Sequence, residues 1–434
     1  MLGEKSMKLN YKRIICVGFA FFLISAFWQA YDKTIPLILT YKFGMKQTLS
    51  GVIMAFDNVL AVFLLPLFGS ISDKTKSKFG KRTVFIIFGT ILAVTSFIFL
   101  PLIGNVWVFV AVLLVTLLSM ATFRSPAVAL MPDVTVKPLR SKANAIINLV
   151  GTVGGLIVLG VGLVVKVGKD NMNNLMPYYV IICGVILLGL VVFLLTVKEK
   201  KWAEEMKEDT LRYYPEEDKK EEPSTTNNRK LSGSEFKSLL LILSSVALWF
   251  MGYNAVTSKY SLYADKVLNQ SYDLTLLIAQ GAAIISYLPV GMIATKIGRR
   301  KTILTGIILL TSAFFCAIFI SANSSPIIMY VMFALAGIGW ATINVNSFPM
   351  VVELAKESDV GKYTGWYYTA SMSAQVLTPI LSGAIMDLVG NMLPLFPYAS
   401  ICVGLAFVTM LLVKHGDSKP LKKQSVLENF DVDD

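Results

Sequence analysis

The sequence predicts an all-α membrane protein: twelve transmembrane helices in two pseudo-symmetric six-helix bundles. Three observations predict it. The 434 residues are 55% hydrophobic and only 16% charged, with a mean hydropathy of +0.64. That is too apolar for a soluble domain and far from a disordered chain. Twelve apolar runs reach the length of about 20 residues that crosses a bilayer. A short basic motif also recurs about half a chain apart, which reads as duplication of a whole half.

The runs follow one another in order. A basic tail, 1–12, leads into spans at 13–39, 48–72, 83–103, 105–131, 143–166 and 176–197. No small-residue cleavage site ends the first run, so it reads as an uncleaved span rather than a signal peptide. Segment 198–237 mixes Lys, Glu, Asp, Pro, Ser and Asn with few apolar residues. It is expected to be a flexible cytoplasmic linker between the bundles 1–197 and 238–413. The second set of spans is 238–265, 272–295, 302–322, 326–352, 362–388 and 391–413, followed by a polar tail, 414–434. Glycines crowd the fifth span at Gly151, Gly154, Gly155, Gly160 and Gly162, where they let helix backbones approach closely.

The net charge of +12 is not a nucleic-acid signal, because the basic residues alternate by loop instead of lining one face. On this topology 32 of the 40 Lys and Arg fall in links or at span ends on the side of the termini and five on the other. That bias places both termini in the cytoplasm of a multi-pass cell-membrane protein. Lys33, Arg124 and Lys259 lie within spans. Cys16, Cys183, Cys316 and Cys402 are scattered through apolar runs, a pattern that suits neither a disulfide framework nor a metal site. His415 follows the last span and is expected in solvent. No metal cluster, nucleophile triad or phosphate loop appears, so an enzyme is not expected. The partners expected are the lipid bilayer and a small solute, with the chain as a monomer.

The repeated motif is Gly69-Ser-Ile-Ser-Asp73-Lys-Thr-Lys-Ser-Lys-Phe-Gly80-Lys81-Arg82, echoed 222 residues on by Gly291-Met-Ile-Ala-Thr295-Lys-Ile-Gly298-Arg299-Arg300. The same offset sets Phe27-Trp28-Gln29-Ala30-Tyr31-Asp32 on Trp249-Phe250-Met251-Gly252-Tyr253-Asn254, and Tyr41 on Tyr263. Further on the register slips. Asp133, after Ser125-Pro126, then matches Glu353, after Ser347-Phe348-Pro349; a basic residue follows each, Arg140 and Lys362. Two matched halves with a binding site between them make a transporter architecture.

The double loop motif resembles the signature of the major facilitator superfamily. The longer first copy, with the run from Arg124-Ser-Pro to Asp133 and then Pro138-Leu-Arg140-Ser-Lys-Ala-Asn144, is similar to sucrose–proton symporters and to glycoside–pentoside–hexuronide:cation symporters. The resemblance implies a secondary transporter that carries a glycoside or oligosaccharide with a cation, by alternating access and without a bound cofactor. In melibiose permease, carboxylates on the second and fourth helices build the cation site. Here the second helix has only Asp57 and the fourth carries Arg124, a departure that favours protons over sodium as the coupling ion.

Asp32 and Asp57 are the acids deep within spans. An ionised carboxylate in hydrocarbon costs about 2.5–3.5 kcal/mol on insertion scales, so it normally faces a cavity or a partner. At a rise of 1.5 Å per residue, Asp32 lies about 10 Å and Asp57 about 13 Å from the outer ends of their spans. They therefore fall at similar depth. Burial and a neighbouring acid both favour the protonated carboxyl, as proton exchange requires. The alternative for either is a fixed ion pair with Lys33 or Lys259. Arg124 lies about 28 Å from the outer end of its span. Either it binds substrate hydroxyls in an inward cavity or it anchors Asp133 or another cytoplasmic-side group.

Aromatic faces and amide groups recognise sugars. Trp28 and Tyr31 on the first span and Asn144 and Asn148 on the fifth are candidates for that contact. Tyr253 and Asn254 on the seventh, Trp340 and Asn344 on the tenth, and Tyr367 and Gln375 on the eleventh join them. Packing or interface anchoring is the commoner use of a membrane aromatic. Asp73, Lys81, Arg82, Asp133 and Arg140, with Arg299, Arg300 and Glu353, are expected to form a cytoplasmic gate of ion pairs that close one face and break when it opens. A drug–proton antiporter on the same fold is disfavoured because 143–166 has no proline. A transport-inactive membrane sensor would need no intramembrane acids.

Overall fold

A computed structural model describes residues 9–136, 139–213, 232–270, 272–352, 354 and 360–415. They form thirteen α-helices. The first six are α1 (Tyr11–Leu37), α2 (Gln47–Lys74), α3 (Thr83–Phe99), α4 (Val106–Asp133), α5 (Arg140–Val164) and α6 (Met176–Thr196). After α7 (Glu199–Tyr213) come α8 (Gly233–Tyr263), α9 (Tyr272–Ile297), α10 (Arg299–Ala317), α11 (Pro326–Val352), α12 (Val360–Val389) and α13 (Leu395–Leu411). Among the described residues ten helices are long and apolar enough to cross a membrane, and α13 is a shorter apolar helix. The 26-residue α9 completes the twelve apolar helices. Phe63, Trp107, Leu195 and Leu388 are each at least 70% exposed. A water-soluble surface rarely carries so many large apolar groups, whereas lipid favours them.

The internal repeat is visible in the backbone. α1 ends in a π-helical turn, Ile38–Lys42, and α8 ends in another, Ala264–Leu268. Helix-interior prolines also recur, one residue off the 222-residue register, Pro66 with Pro289 and Pro126 with Pro349. Both copies of the basic loop turn on a glycine of positive φ, 125° at Gly80 and 91° at Gly298, a conformation that a side chain would strain.

The described residues form two compact units. The first comprises 9–28, 60–158 and 179–213, and the second comprises the described residues of 29–59, 159–178 and 232–415. α1, α2, α5 and α6 each contribute one part to each unit. In the first unit α3 packs on α4, and α5 meets α1 so closely that a Cβ at Gly154 would lie 2.5 Å from the Phe22 carbonyl oxygen. In the second unit α8 packs on α12 and α13, while α11 packs on α9 and α10. The start of α2 crosses α12 backbone to backbone. A Cβ at Gly51 would stand 2.0 Å from the Pro379 carbonyl oxygen, and one at Gly383 2.3 Å from that of Gln47. Of the fifth-span glycines, Gly151 and Gly154 serve packing, whereas nothing lies within 4 Å of a Cβ at Gly160.

Two expectations change. The start of segment 198–237 is not flexible coil but helix α7, because its charges fall at helical spacing and its apolar face has somewhere to dock. Lys201 and Glu205 pair one turn apart, Glu205 also takes the Arg13 guanidinium, and that guanidinium lies 5.3 Å from the Trp202 ring centre. Residues 214–231, 416–434 and Glu353 lie outside the described residues. His415 is half-buried rather than solvated, with Nδ1 2.9 Å from the Ser238 hydroxyl.

Candidate functional site

In the second unit the structure brings Asp32 and Asp57 within electrostatic reach of one another, with Tyr31 and Tyr272 beside Asp32. An amide chain runs past them. Gln280 Nε2 donates to Gln29 Oε1 at 2.7 Å, and Gln29 Nε2 donates to the Tyr272 hydroxyl at 3.2 Å. The two lysines weighed as partners for the acids turn elsewhere. Lys33 Nζ lies 2.7 Å from each carboxylate oxygen of Asp273, and both residues are buried. The Tyr178 ring centre is 4.7 Å from the same ammonium. Lys259, fully buried, donates to the Gln47 carbonyl at 3.0 Å. The first turn of α2 is in turn held by Asp387, which accepts from the backbone of Gln47 at 2.8 Å and of Thr48 at 2.7 Å.

These contacts correspond helix for helix under the repeat, though not residue for residue. Lys33, on the first span, reaches the first turn of the eighth; Lys259, on the seventh, reaches the first residue of the second. A third contact joins the two π-helical turns themselves, where the Tyr41 hydroxyl donates to Asp265. A helix N-terminus carries partial positive charge and unpaired N–H groups, so a carboxylate such as Asp387 is stable there even in an apolar setting. A buried ammonium needs a partner of equal strength, which Asp273 supplies to Lys33.

The remaining candidates in this unit form a stacked platform and a buried pair. The rings of Tyr253 and Trp340 lie 3.6 Å apart and 7° from parallel, with Phe250 edge-on to Trp340 at 5.2 Å. Asn254 Nδ2 donates back to the Phe250 carbonyl at 2.9 Å. Asn344 is buried and Gln375 half-buried. Tyr367 is buried as well, its hydroxyl 2.9 Å from that of Ser347, so packing already occupies it.

In the first unit the Arg124 guanidinium lies 5.7 Å from the Trp28 ring centre, and Asp133 is held by other cations. Asn144 and Asn148 are both half-buried, one turn apart on α5. Arg82, 4% exposed, gathers the basic loop. It donates to Asp133 at 2.8 Å, to the Gly69 carbonyl at 3.2 Å, and to Asp73 and Ser72. Lys81 adds a 3.1 Å contact to Asp133. Arg140 caps α4 through the carbonyls of Pro132 and Thr135. In the second unit Arg300 caps α13 through those of Met410 and Leu411. The Arg82 bonds thus tie α2, α3 and α4 to one another within one unit.

Sequence reasoning missed Gln29, Gln280, Asp273, Asp387 and Glu199. The buried Glu199, first residue of α7, accepts from the backbone N–H groups of Arg82 at 3.0 Å and Thr83 at 2.8 Å, capping α3. A Cβ at Gly80 would lie 2.2 Å from its Oε2, so the loop glycine makes room for this carboxylate. The intramembrane amides carried a usable signal, since lipid rejects them; the acids at helix ends carried none. No group of three metal-ligating side chains occurs among the described residues.

Solved structures share the fold. A peptide transporter POT superposes with a TM-score of 0.67 at 15% identity, over 92% of this chain and 93% of its own. The nucleoside transporter NupG gives 0.67 at 13% identity, over 93% and 100%. The POT family transporter PepTSo gives 0.65 at 12% identity, over 94% and 98%. No curated protein matches the sequence. Residues 16–412 match the family model described as MFS/sugar transport protein, and the chain belongs to that family of membrane secondary transporters.

Proposed function

We propose that the protein imports a glycoside or oligosaccharide together with a proton across the cell membrane, as a monomer with both termini cytoplasmic. The bundles 1–197 and 238–413 rock about a site between them. The observation that carries this reading is that Asp32 and Asp57, both within spans, lie within electrostatic reach of one another, Asp32 being next in sequence to the lysine of the buried Lys33–Asp273 contact. Two neighbouring acids within spans offer a proton a place to bind and to leave. Asp32 is covalently next to Lys33, so a change of charge there alters the stability of the contact that closes this end. With the termini inside, that end is the outer face. Proton and sugar enter when the Lys33, Lys259 and Tyr41 contacts part, and leave when those contacts re-form and the inner end opens.

The sugar part of the reading rests on the family description, on the stacked Tyr253–Trp340 platform and on Asn254, Asn344 and Asn148. A flat aromatic face and amides that both donate and accept suit a ring with hydroxyls. The structural relatives are a peptide and a nucleoside transporter, so those solutes belong in the same test. Purified protein in proteoliposomes is given a panel of glycosides, a dipeptide and a nucleoside, with pH and sodium gradients imposed separately. Glycoside uptake driven by an inward proton gradient is expected. Uptake of the dipeptide or nucleoside alone, or a sodium-only drive, overturns the reading.

A further inference from the structure

The two copies of the basic loop differ in length. Six residues separate Asp73 from Gly80 in the first copy, whereas two separate Thr295 from Gly298 in the second. The shorter loop already turns the chain between two spans and keeps its cations on the side of the termini, so orientation does not call for the longer one. The longer copy carries Lys74, Lys76 and Lys78, all exposed, and Phe79, 68% exposed. None of these three lysines forms an ion pair among the described residues. Lys81 and Arg82, beyond the glycine, are tied to Asp73 and Asp133.

Glu199 brings further cations to this loop. Its carboxylate accepts from the backbone N–H groups of Arg82 and Thr83, so the start of α7 meets the start of α3. Its chain neighbours Lys198 and Lys200 are both exposed and form no ion pair among the described residues. The acids of the same stretch leave this charge uncancelled. Asp73 is taken by Arg82, and Glu199 is buried in the cap. The first exposed acid of α7, Glu204, lies a full turn beyond Lys200.

The spans that lead into this surface present apolar side chains outward. Phe88 on α3 is 63% exposed and Leu195 on α6 is 77% exposed, which suits contact with acyl chains. Uncancelled lysines at the ends of lipid-facing helices attract phospholipids of net negative charge over zwitterionic ones. A phenyl ring beside such lysines fits the boundary between headgroups and acyl chains.

We propose that the α2–α3 loop and the start of α7 together bind the headgroup of an acidic phospholipid. Lys74, Lys76, Lys78, Lys198 and Lys200 supply the positive charge, and Phe79 enters the apolar boundary. The bound lipid joins the loop to α7 alongside the Glu199 cap, whichever solute the protein carries.

The test is native mass spectrometry of the full-length protein in detergent, titrated with an equimolar mixture of dioleoyl phosphatidylglycerol and dioleoyl phosphatidylcholine. Several-fold more first-bound phosphatidylglycerol than phosphatidylcholine is expected. Lys74→Gln/Lys76→Gln/Lys78→Gln and Lys198→Gln/Lys200→Gln are each expected to lower that preference several-fold. Lys237→Gln/Lys296→Gln/Lys301→Gln removes as much charge as the loop variant from exposed positions of the second unit and is expected to keep it. In melting curves the parent should be stabilised by phosphatidylglycerol and not by inorganic phosphate at the same concentration. Four results overturn the site: no preference for phosphatidylglycerol, a full preference in either first-unit variant, an equal loss in the second-unit variant, or equal stabilisation by inorganic phosphate.

Discussion

Lys33 on α1 holds both carboxylate oxygens of Asp273 on α9 at 2.7 Å, with neither residue more than 4% exposed. Removing one partner of such a pair leaves a charge stranded in an apolar setting, at a cost of about 3–5 kcal/mol. Lys33→Ala and Asp273→Ala are each expected to lower the melting temperature and to admit impermeant thiol reagents at the α1–α2 end. The double variant removes both charges and should recover much of the lost stability while the end stays open. Detergent-solubilised melting curves and labelling rates check this. Single variants that melt like the parent would refute a buried pair.

The same contact is exposed to a backbone test. A methyl group at Gly162 would stand 2.1 Å from Asp273 Oδ1 and 2.4 Å from Lys33 Nζ. Gly162→Ala is therefore expected to push the pair apart and to reproduce the opening expected of Asp273→Ala, without removing a charge. Gly160→Ala meets nothing within 4 Å and should label like the parent. Equal labelling in both alanine variants would mean that α5 does not press on the pair.

Asp32→Asn preserves shape and hydrogen bonding but cannot exchange a proton. Sugar counterflow at equal pH should persist while uphill accumulation driven by a pH gradient is lost. Asp57→Asn is expected to weaken accumulation less, since Asp32 is the acid adjoining the Lys33 contact. Both flows are measured in the same proteoliposomes. Undiminished accumulation in Asp32→Asn would remove that residue from coupling.

Glu199 accepts from two backbone N–H groups and from the Thr83 hydroxyl at 2.7 Å. Losing a helix cap costs about 0.5–2 kcal/mol. Glu199→Ala should lower the melting temperature and loosen α7, read as faster proteolysis in segment 198–237. Glu199→Gln keeps an acceptor and should fall between the two. A melting temperature unchanged in Glu199→Ala would show that the cap carries no stability.

Local composition by itself determined the helices, because crossing lipid requires about 20 apolar residues in one unbroken run and no tertiary context can substitute for them. It also marked the repeat, since Gly80 and Gly298 answer to backbone angles that only the loop itself demands. Asp32 and Asp57 stood out for the same reason, being acids where hydrocarbon should be. Partner choice was not legible. Lys33 and Asp273 are 240 residues apart, and an acid in the first turn of a span looks like any helix-start carboxylate until the fold sets an ammonium against it. Glu199 and Asp387 were passed over likewise, because their carboxylates serve the ends of helices distant in sequence. The helix at the start of the linker is likewise held where Arg13 and the α3 terminus give Glu205 and Glu199 something to bind. Which charges exist is written residue by residue; which of them are buried, paired or left facing a cavity is decided where helices cross, since desolvation and hydrogen-bond geometry depend on neighbours that only the folded chain supplies.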